Sequence, residues 1–222
     1  MDYFKPKYIS FDCYGTLIHF RMADMARQLF PDRIRPEQME AFCKDFSAYR
    51  FDEVLGDWKP YAEVLINAVR RLCKLWNVEY RPSDAQQIYA AVPTWGPHPD
   101  VPEGLAKVAR HIPLVILSNA MNEQIPHNVA RLGAPFHRVY TAESAQCYKP
   151  RLKAFEYMFD QLGCGPENML HVSSSLRYDL MSAHDLHFGG RVFVARGHEP
   201  GTPGYGYREI KDIGGLAAVV GL

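Results

Sequence analysis

The 222-residue chain carries no surplus charge of either sign: its Lys and Arg total 25, as do its Asp and Glu. Without a broad basic surface, neither nucleic acid nor an acidic membrane is an expected partner. Cysteine is sparse and unpatterned. The five thiols, Cys13, Cys43, Cys73, Cys147 and Cys164, form no CxxC pair and are odd in number. That argues against a disulfide framework or a structural zinc site and for a reducing compartment. No apolar run approaches membrane-spanning length, and Met1-Asp2-Tyr3-Phe4-Lys5-Pro6-Lys7 lacks the apolar core of a secretory leader. A soluble, cytoplasmic protein is expected. Internal repeats and low-complexity tracts are missing as well.

What is present begins with Tyr8-Ile9-Ser10-Phe11, a strand-like run that ends in Asp12 and passes into Cys13-Tyr14-Gly15-Thr16-Leu17. A strand that delivers a carboxylate into a turn puts it at the carboxyl edge of a sheet, where open α/β folds keep their chemistry. After Leu17 the apolar spacing turns helical for about 70 residues. A helix from Pro36 aligns Met39, Phe42, Cys43, Phe46 and Tyr49 on one face, and a second carries Tyr61, Val64, Leu65, Ala68, Val69, Leu72 and Leu75. Ser83 is expected to cap a third, short helix that runs through Val92.

The proline-rich stretch Pro93 to Pro102 reads as a return crossing. Strands and helices then alternate: helices at Glu103–Arg110, Asn122–Leu132, Pro150–Leu162 and Tyr178–Leu186, and strands at Pro113–Leu117, Arg138–Thr141, Met169–Val172 and Arg191–Ala195. Gly197 to Tyr207 reads as a loop before a final helix at Leu216–Val220. The expected fold class is α/β, with a Rossmann-like parallel sheet core built from residues 1–19 and 97–222 and an inserted helical cap at residues 20–96.

The residues that could carry chemistry follow the strands. Asp12 can serve as a nucleophile. Ser118 and Asn119 are small polar groups at the end of a buried strand, able to hold an anion beside it. Lys149, in Tyr148-Lys149-Pro150, would offset the desolvation that raises the pKa of a buried carboxylate. His171-Val172-Ser173-Ser174-Ser175-Leu176-Arg177-Tyr178-Asp179 ends in a second carboxylate. Cys13 is expected to be a small buried filler, having no histidine close in sequence to activate it. His184 and His187 lack a neighbouring Glu-His pattern and are not expected to bind metal.

These four segments, in this order, resemble the motifs of the haloacid dehalogenase superfamily, and Tyr14 and Ser118-Asn119 resemble its 2-haloacid dehalogenase branch. The resemblance implies that Asp12 forms a covalent aspartyl intermediate, that Ser118 and backbone amides near Cys13 and Tyr14 bind the substrate carboxylate, and that Asn119 cradles the halide. Lys149 would keep Asp12 ionised. Asp179 would orient or activate the hydrolytic water, assisted by Lys149 and Ser174 or Ser175. Phosphatases of the superfamily carry acidic residues where this chain has Tyr14 and Ser174, leaving Asp12 and Asp179 as the carboxylates for a magnesium site. No metal or cofactor is therefore expected. Chloride or bromide, unlike an alkoxide, departs without an acid.

The family's cap arginine is matched to Arg50, with Lys44, Arg21 and Arg177 behind it, and Trp58 or Phe46 as an apolar wall. Phe155 stands where some dehalogenases carry a tyrosine. The implied activity is hydrolysis of a small 2-haloalkanoic acid, the small-molecule substrate, to its 2-hydroxy acid. The alternatives are a phosphatase or phosphonate hydrolase with a reduced magnesium site, or a catalytically weak binding or regulatory relative. A homodimer is compatible with the resemblance.

Overall fold

The computed structural model describes residues 4–222. Residues 1–3, included in the expected core and in the leader-lacking start, lie outside the described residues. The chain divides into two compact units, one of residues 4–19 with 96–222 and one of residues 20–95, so that Gly96 falls with the core.

The first unit is built on strand β1 (Tyr8–Phe11), followed later in the chain by β2 (Leu114–Ser118), β3 (Arg138–Thr141), β4 (Met169–Ser173), β5 (Gly190–Val194) and β6 (Arg208–Ile210). They form one six-stranded sheet in the order β3-β2-β1-β4-β5-β6, with every pairing parallel. Ile9, Ser10 and Phe11 are all buried. That is how a strand covered on both faces reads: continuous burial with no in-out alternation. Phe11 is level with Ile116 of β2 and Val172 of β4, so the residues just beyond it emerge together at the carboxyl edge. Strand order reverses at β1, and the crevice between β1 and β4 is the topological switch point where such sheets bind ligands.

The second unit comprises α1 (Met22–Leu29), α2 (Met39–Leu55), α3 (Tyr61–Trp76) and α4 (Pro82–Ala91). Its interior is aromatic: the Phe30 and Phe42 rings lie 4.8 Å apart and Phe42 meets Trp76 edge-on at 5.5 Å. Asn77, in the left-handed region at φ 52°, ends α3 by donating its amide to Cys73 and Lys74. Among the described residues no helix is long and apolar enough to cross a membrane.

The helices of the first unit are α5 (Val101–Ala109), α6 (Ile125–Val129), α7 (Ala142–Ala145), α8 (Leu152–Leu162), α9 (Met181–Asp185) and α10 (Leu216–Val219). Several local expectations needed correction. Ser83 does not cap α4: the helix starts at Pro82, with Arg81 before it and no side-chain cap. The helix expected from Asn122 to Leu132 is only Ile125–Val129. Pro126 cannot donate to the carbonyl of residue 122, so no helix can run through from there. The helix expected at Tyr178–Leu186 is a π-helical turn at Leu176–Leu180 leading into α9. Helices α1 and α7 were not separated from their surroundings. Strand β6 is partly exposed and carries no apolar run, which left it no hydrophobic signal.

Asp100 and Arg196 fasten the core unit across its sequence. Arg196 Nη1 and Nη2 donate to the two Asp100 oxygens at 2.7 and 2.8 Å, and the Ile213 amide donates to the same carboxylate at 2.8 Å. This draws the turn at Ile213 against α5, where a Cβ on Gly104 would lie 2.8 Å from the Ile213 carbonyl carbon and oxygen. Gly104→Ala gains about 1 kcal/mol of helix propensity. Overpacking against backbone costs about 1–3 kcal/mol. The expected result is net destabilisation in denaturant titration; an unchanged or raised midpoint would contradict this packing.

Candidate active site

The site starts from a hydrogen-bonded loop. Asp12 follows β1 directly, its amide donating to Val172 O of β4 at 3.1 Å. The chain then turns tightly: the Leu17 and Ile18 amides both donate to Cys13 O, at 2.8 and 2.9 Å, and Gly15 N donates to Ile18 O at 2.7 Å. Gly15 has φ +99°, which only glycine adopts without strain. The turn brings Thr16 back to the carboxylate it follows, with Thr16 Oγ1 donating to Asp12 Oδ2 at 2.7 Å and accepting from Ser174 N at 2.9 Å. Ser174 Oγ lies 3.2 Å from the same hydroxyl.

Lys149 joins the two carboxylates. Its ammonium donates to Asp12 Oδ1 at 2.9 Å and to Asp179 Oδ1 at 2.7 Å. Lys149 is 1% exposed and Asp179 fully buried, so neither charge is much screened by water. The remaining Asp179 oxygen accepts from Ser173 Oγ at 3.0 Å, while His171 Nε2 lies 3.0 Å from Oδ1 and His171 Nδ1 lies 2.8 Å from Ser10 Oγ. Each oxygen of both carboxylates thus has a protein hydrogen-bond partner.

The electrostatics differ between the two acids. Burial pushes the Asp12 carboxyl above the ordinary carboxylate range, and the Asp179 charge adds to this while Lys149 pulls against it. Burial also opposes ionisation of Asp179, but there Lys149 and the His171 hydrogen bond prevail, holding it below the ordinary range. Burial works against the Lys149 ammonium too, and the two carboxylates outweigh it, raising its pKa. Asp12 is therefore the harder acid to keep ionised, and it depends on its cation.

The other expected residues separate into distinct places. Ser118 ends β2 beside β1, and its buried hydroxyl has no hydrogen-bond partner among the described residues. A buried donor of this kind needs an acceptor. Asn119 forms a reciprocal pair with the Lys149 backbone, donating from Nδ2 to its carbonyl at 2.9 Å and accepting its amide at 2.8 Å. Cys13 is buried; burial and the Asp12 charge push its thiol pKa well up, which keeps it a thiol. Tyr14 donates its hydroxyl to Asn128 Oδ1 at 2.8 Å.

Ser175 donates to Glu199 Oε1 at 2.8 Å. Phe155 is core, edge-on to His171 at 5.6 Å. Arg50 lies in the helical unit, its guanidinium 5.0 Å from the Phe20 ring and 4.9 Å from Phe46. Its Nε has no hydrogen-bond partner among the described residues. Arg21 pairs with Asp24 at 3.0 Å on the surface. His184 and His187 join no cluster of three potential metal ligands, and none exists among the described residues.

Four contributors escaped sequence reasoning. Thr16, Ser173 and His171 support the carboxylates, while Glu199 caps the turn after β4 by accepting from Leu176 N at 2.8 Å and Arg177 N at 3.2 Å. The signal for His171 and Ser173 was their alternation along β4, which puts both on the face where Asp179 arrives. Glu199, far off in the chain, left no local signal.

The haloacid dehalogenase-like hydrolase family model matches residues 6–187. The chain is 25% identical over 211 residues to the (S)-2-haloacid dehalogenase of Pseudomonas sp. (strain YL), covering 90% of each chain. It is 26% identical over 175 residues to haloacetate dehalogenase H-2 of Moraxella sp. (strain B), covering 77% of this chain and 78% of that one. Among solved structures, it superposes with a TM-score of 0.77 and 20% identity on the L-2-haloacid dehalogenase of Xanthobacter autotrophicus with chloropropionic acid covalently bound, over 97% of this chain and 98% of that one. It also superposes, with a TM-score of 0.81 and 16% identity, on a Bacillus subtilis protein classed as a HAD-hydrolase and bound to magnesium, over 98% of this chain and all of that one. At these identities the structural matches establish the fold and leave the chemistry to the side chains.

Lys149→Met would strand two buried carboxylates, with an expected loss of about 3–5 kcal/mol at neutral pH. Without the ammonium the Asp12 pKa, already above its unfolded value, rises further. The folded variant then binds more protons than the unfolded chain within that window, so its stability rises as pH falls through it. Thermal melts from neutral to mildly acidic pH should show the deficit against wild type shrinking, and a constant deficit would contradict the pairing.

Proposed function

The chain belongs to the haloacid dehalogenase-like hydrolases, and we propose that it hydrolyses a small 2-haloalkanoic acid to the 2-hydroxy acid through an ester on Asp12. The observation that carries this reading is that every oxygen of both acids has a protein hydrogen-bond partner: Lys149, Thr16, Ser173 and His171 surround Asp12 and Asp179. Magnesium takes bare, hard oxygens, two or three of them from carboxylates or phosphate. Here an ammonium sits between the carboxylates and hydroxyls contact their other oxygens, an environment that does not fit the ion. The acid that phosphate esters need for their leaving group is also missing, because Tyr14 occupies its position and its hydroxyl is committed to Asn128.

In this proposal the substrate carboxylate accepts a hydrogen bond from Ser118, whose hydroxyl is otherwise unpartnered among the described residues. An Asp12 oxygen attacks the halogen-bearing carbon from the rear, forming the ester C–O bond as the carbon–halogen bond breaks. The halide leaves as a stable anion. Water then attacks the side-chain carbonyl of Asp12, Asp179 takes its proton, and the ester bond breaks to release the 2-hydroxy acid, whose oxygen regains the proton. The names of the two curated relatives support the same substrate class.

The test is halide release from chloroacetate and 2-chloropropionate with chelator present. Magnesium-dependent phosphate release from esters, with no halide from any short haloacid, would replace this reading. Asp12→Asn should reduce turnover to background, and retained activity would identify another nucleophile. Because burial raises the Asp12 pKa, the rate should climb with pH along an acid limb centred above the ordinary aspartate value of 3.8. A limb at or below that value would contradict the desolvated nucleophile.

A further inference from the structure

His171 has no role in the reaction outlined above, yet it is fully buried against one of its two acids. We propose that His171 is a positioning residue for ester hydrolysis, its Nε2–H fixing Asp179 so that the carboxylate's remaining lone pair meets the attacking water. The inference rests on the dehalogenase reading and assigns a function to a side chain that never touches substrate.

The geometry begins with the strand. His171 and Ser173 alternate along β4 and so share a face. They reach different oxygens of Asp179, at 3.0 Å each. Ser10, the register partner of His171 on β1, lies 2.8 Å from Nδ1. Phe155 and Phe188 pack the imidazole at 5.6 and 5.4 Å between ring centres, which restrains its rotation.

Of the two neutral tautomers, one satisfies this arrangement. With the proton on Nε2, the ring donates to Asp179 Oδ1 and Nδ1 accepts from the Ser10 hydroxyl. With the proton on Nδ1, the Nε2 lone pair would face an anionic oxygen, and Ser10 would be left to donate to Leu170 O at 3.5 Å. An ionised Asp179 therefore selects the Nε2–H form, and that form in turn favours ionised Asp179.

A carboxylate offers about four lone-pair sites. Lys149 and His171 occupy those of Oδ1, and Ser173 occupies one on Oδ2. The site left on Oδ2 receives the proton as the water oxygen bonds to the Asp12 carbonyl carbon. When the tetrahedral carbon collapses, the ester C–O bond breaks and the departing oxygen takes that proton back. His171 gains and loses none, so its contribution is orientation.

A positioning role confined to the second step has a kinetic signature. Slowing ester hydrolysis lowers kcat and KM together and leaves kcat/KM, set by halide displacement, unchanged. In His171→Phe, kcat with 2-chloropropionate should fall about 100-fold, kcat/KM should stay within about twofold, and a halide burst should appear with an alkyl-ester adduct on Asp12 detectable by intact-protein mass. His171→Gln, which retains a donor, should restore most of kcat. Equal loss of kcat and kcat/KM in both variants, or no adduct, would overturn the proposal. Should His171→Phe fail to fold, the Gln variant and a long-range proton–nitrogen spectrum of the wild type decide it: the Nε2–H tautomer is expected, and Nδ1–H overturns the inference whatever the substrate. Absence of halide release by wild type would instead count against the dehalogenase reading.

Discussion

The site depends on one ammonium held between two buried carboxylates. Lys149 Nζ lies within 2.9 Å of both Asp12 and Asp179, and removing the lysine would leave two buried carboxylates without a counter-charge. Buried ion pairs of this kind are poor sources of net stability, because desolvation takes back most of the Coulomb gain. Their presence is better explained by what the charges do. The cation favours ionised Asp12 where burial opposes it.

The fold supplies the cation's position from three separate strands. Asp12 follows β1, Lys149 is pinned by its own backbone to Asn119 beyond β2, and Asp179 stands in the turn after β4. Parallel strands bring all their carboxyl ends to one edge, and the switch point leaves a crevice between β1 and β4. The reciprocal Asn119–Lys149 pair shows how an amide that the resemblance assigns to the halide also places Lys149. The hydroxyl of Ser118, its neighbour, has no hydrogen-bond partner among the described residues.

Hydroxyls surround the acids where a metal site would have further oxygen ligands. Thr16 and Ser173 contact Asp12 and Asp179, and Ser174 joins through Thr16. Such contacts position a carboxylate without adding charge to it, so the local charge is set by two acids and one lysine. The magnesium-bound Bacillus subtilis structure has nearly the same fold, which makes these side chains, not the architecture, the features that separate one chemistry from another.

Much of this was legible in the sequence, because its signals are local. The buried runs ending in Asp12 and Ser118 mark strand ends, the alternation after Pro113 marks a parallel sheet, and Lys149 and Asp179 stand in segments that resemble known motifs. Other features were decided by tertiary structure. Pro126 shortened a helix that apolar spacing had extended, β6 formed on an edge without an apolar run, and Ser175 turned to Glu199, 24 positions away. His171 is the sharpest case: in the sequence it is one polar residue in a strand, and its meaning arises only when β1 brings Ser10 alongside and the turn after β4 brings Asp179 back. Covalent order fixes which groups lie on the same strand face or at the same strand end. Only the folded sheet determines which buried polar groups must satisfy one another, because that requirement appears when water is removed from all of them at once.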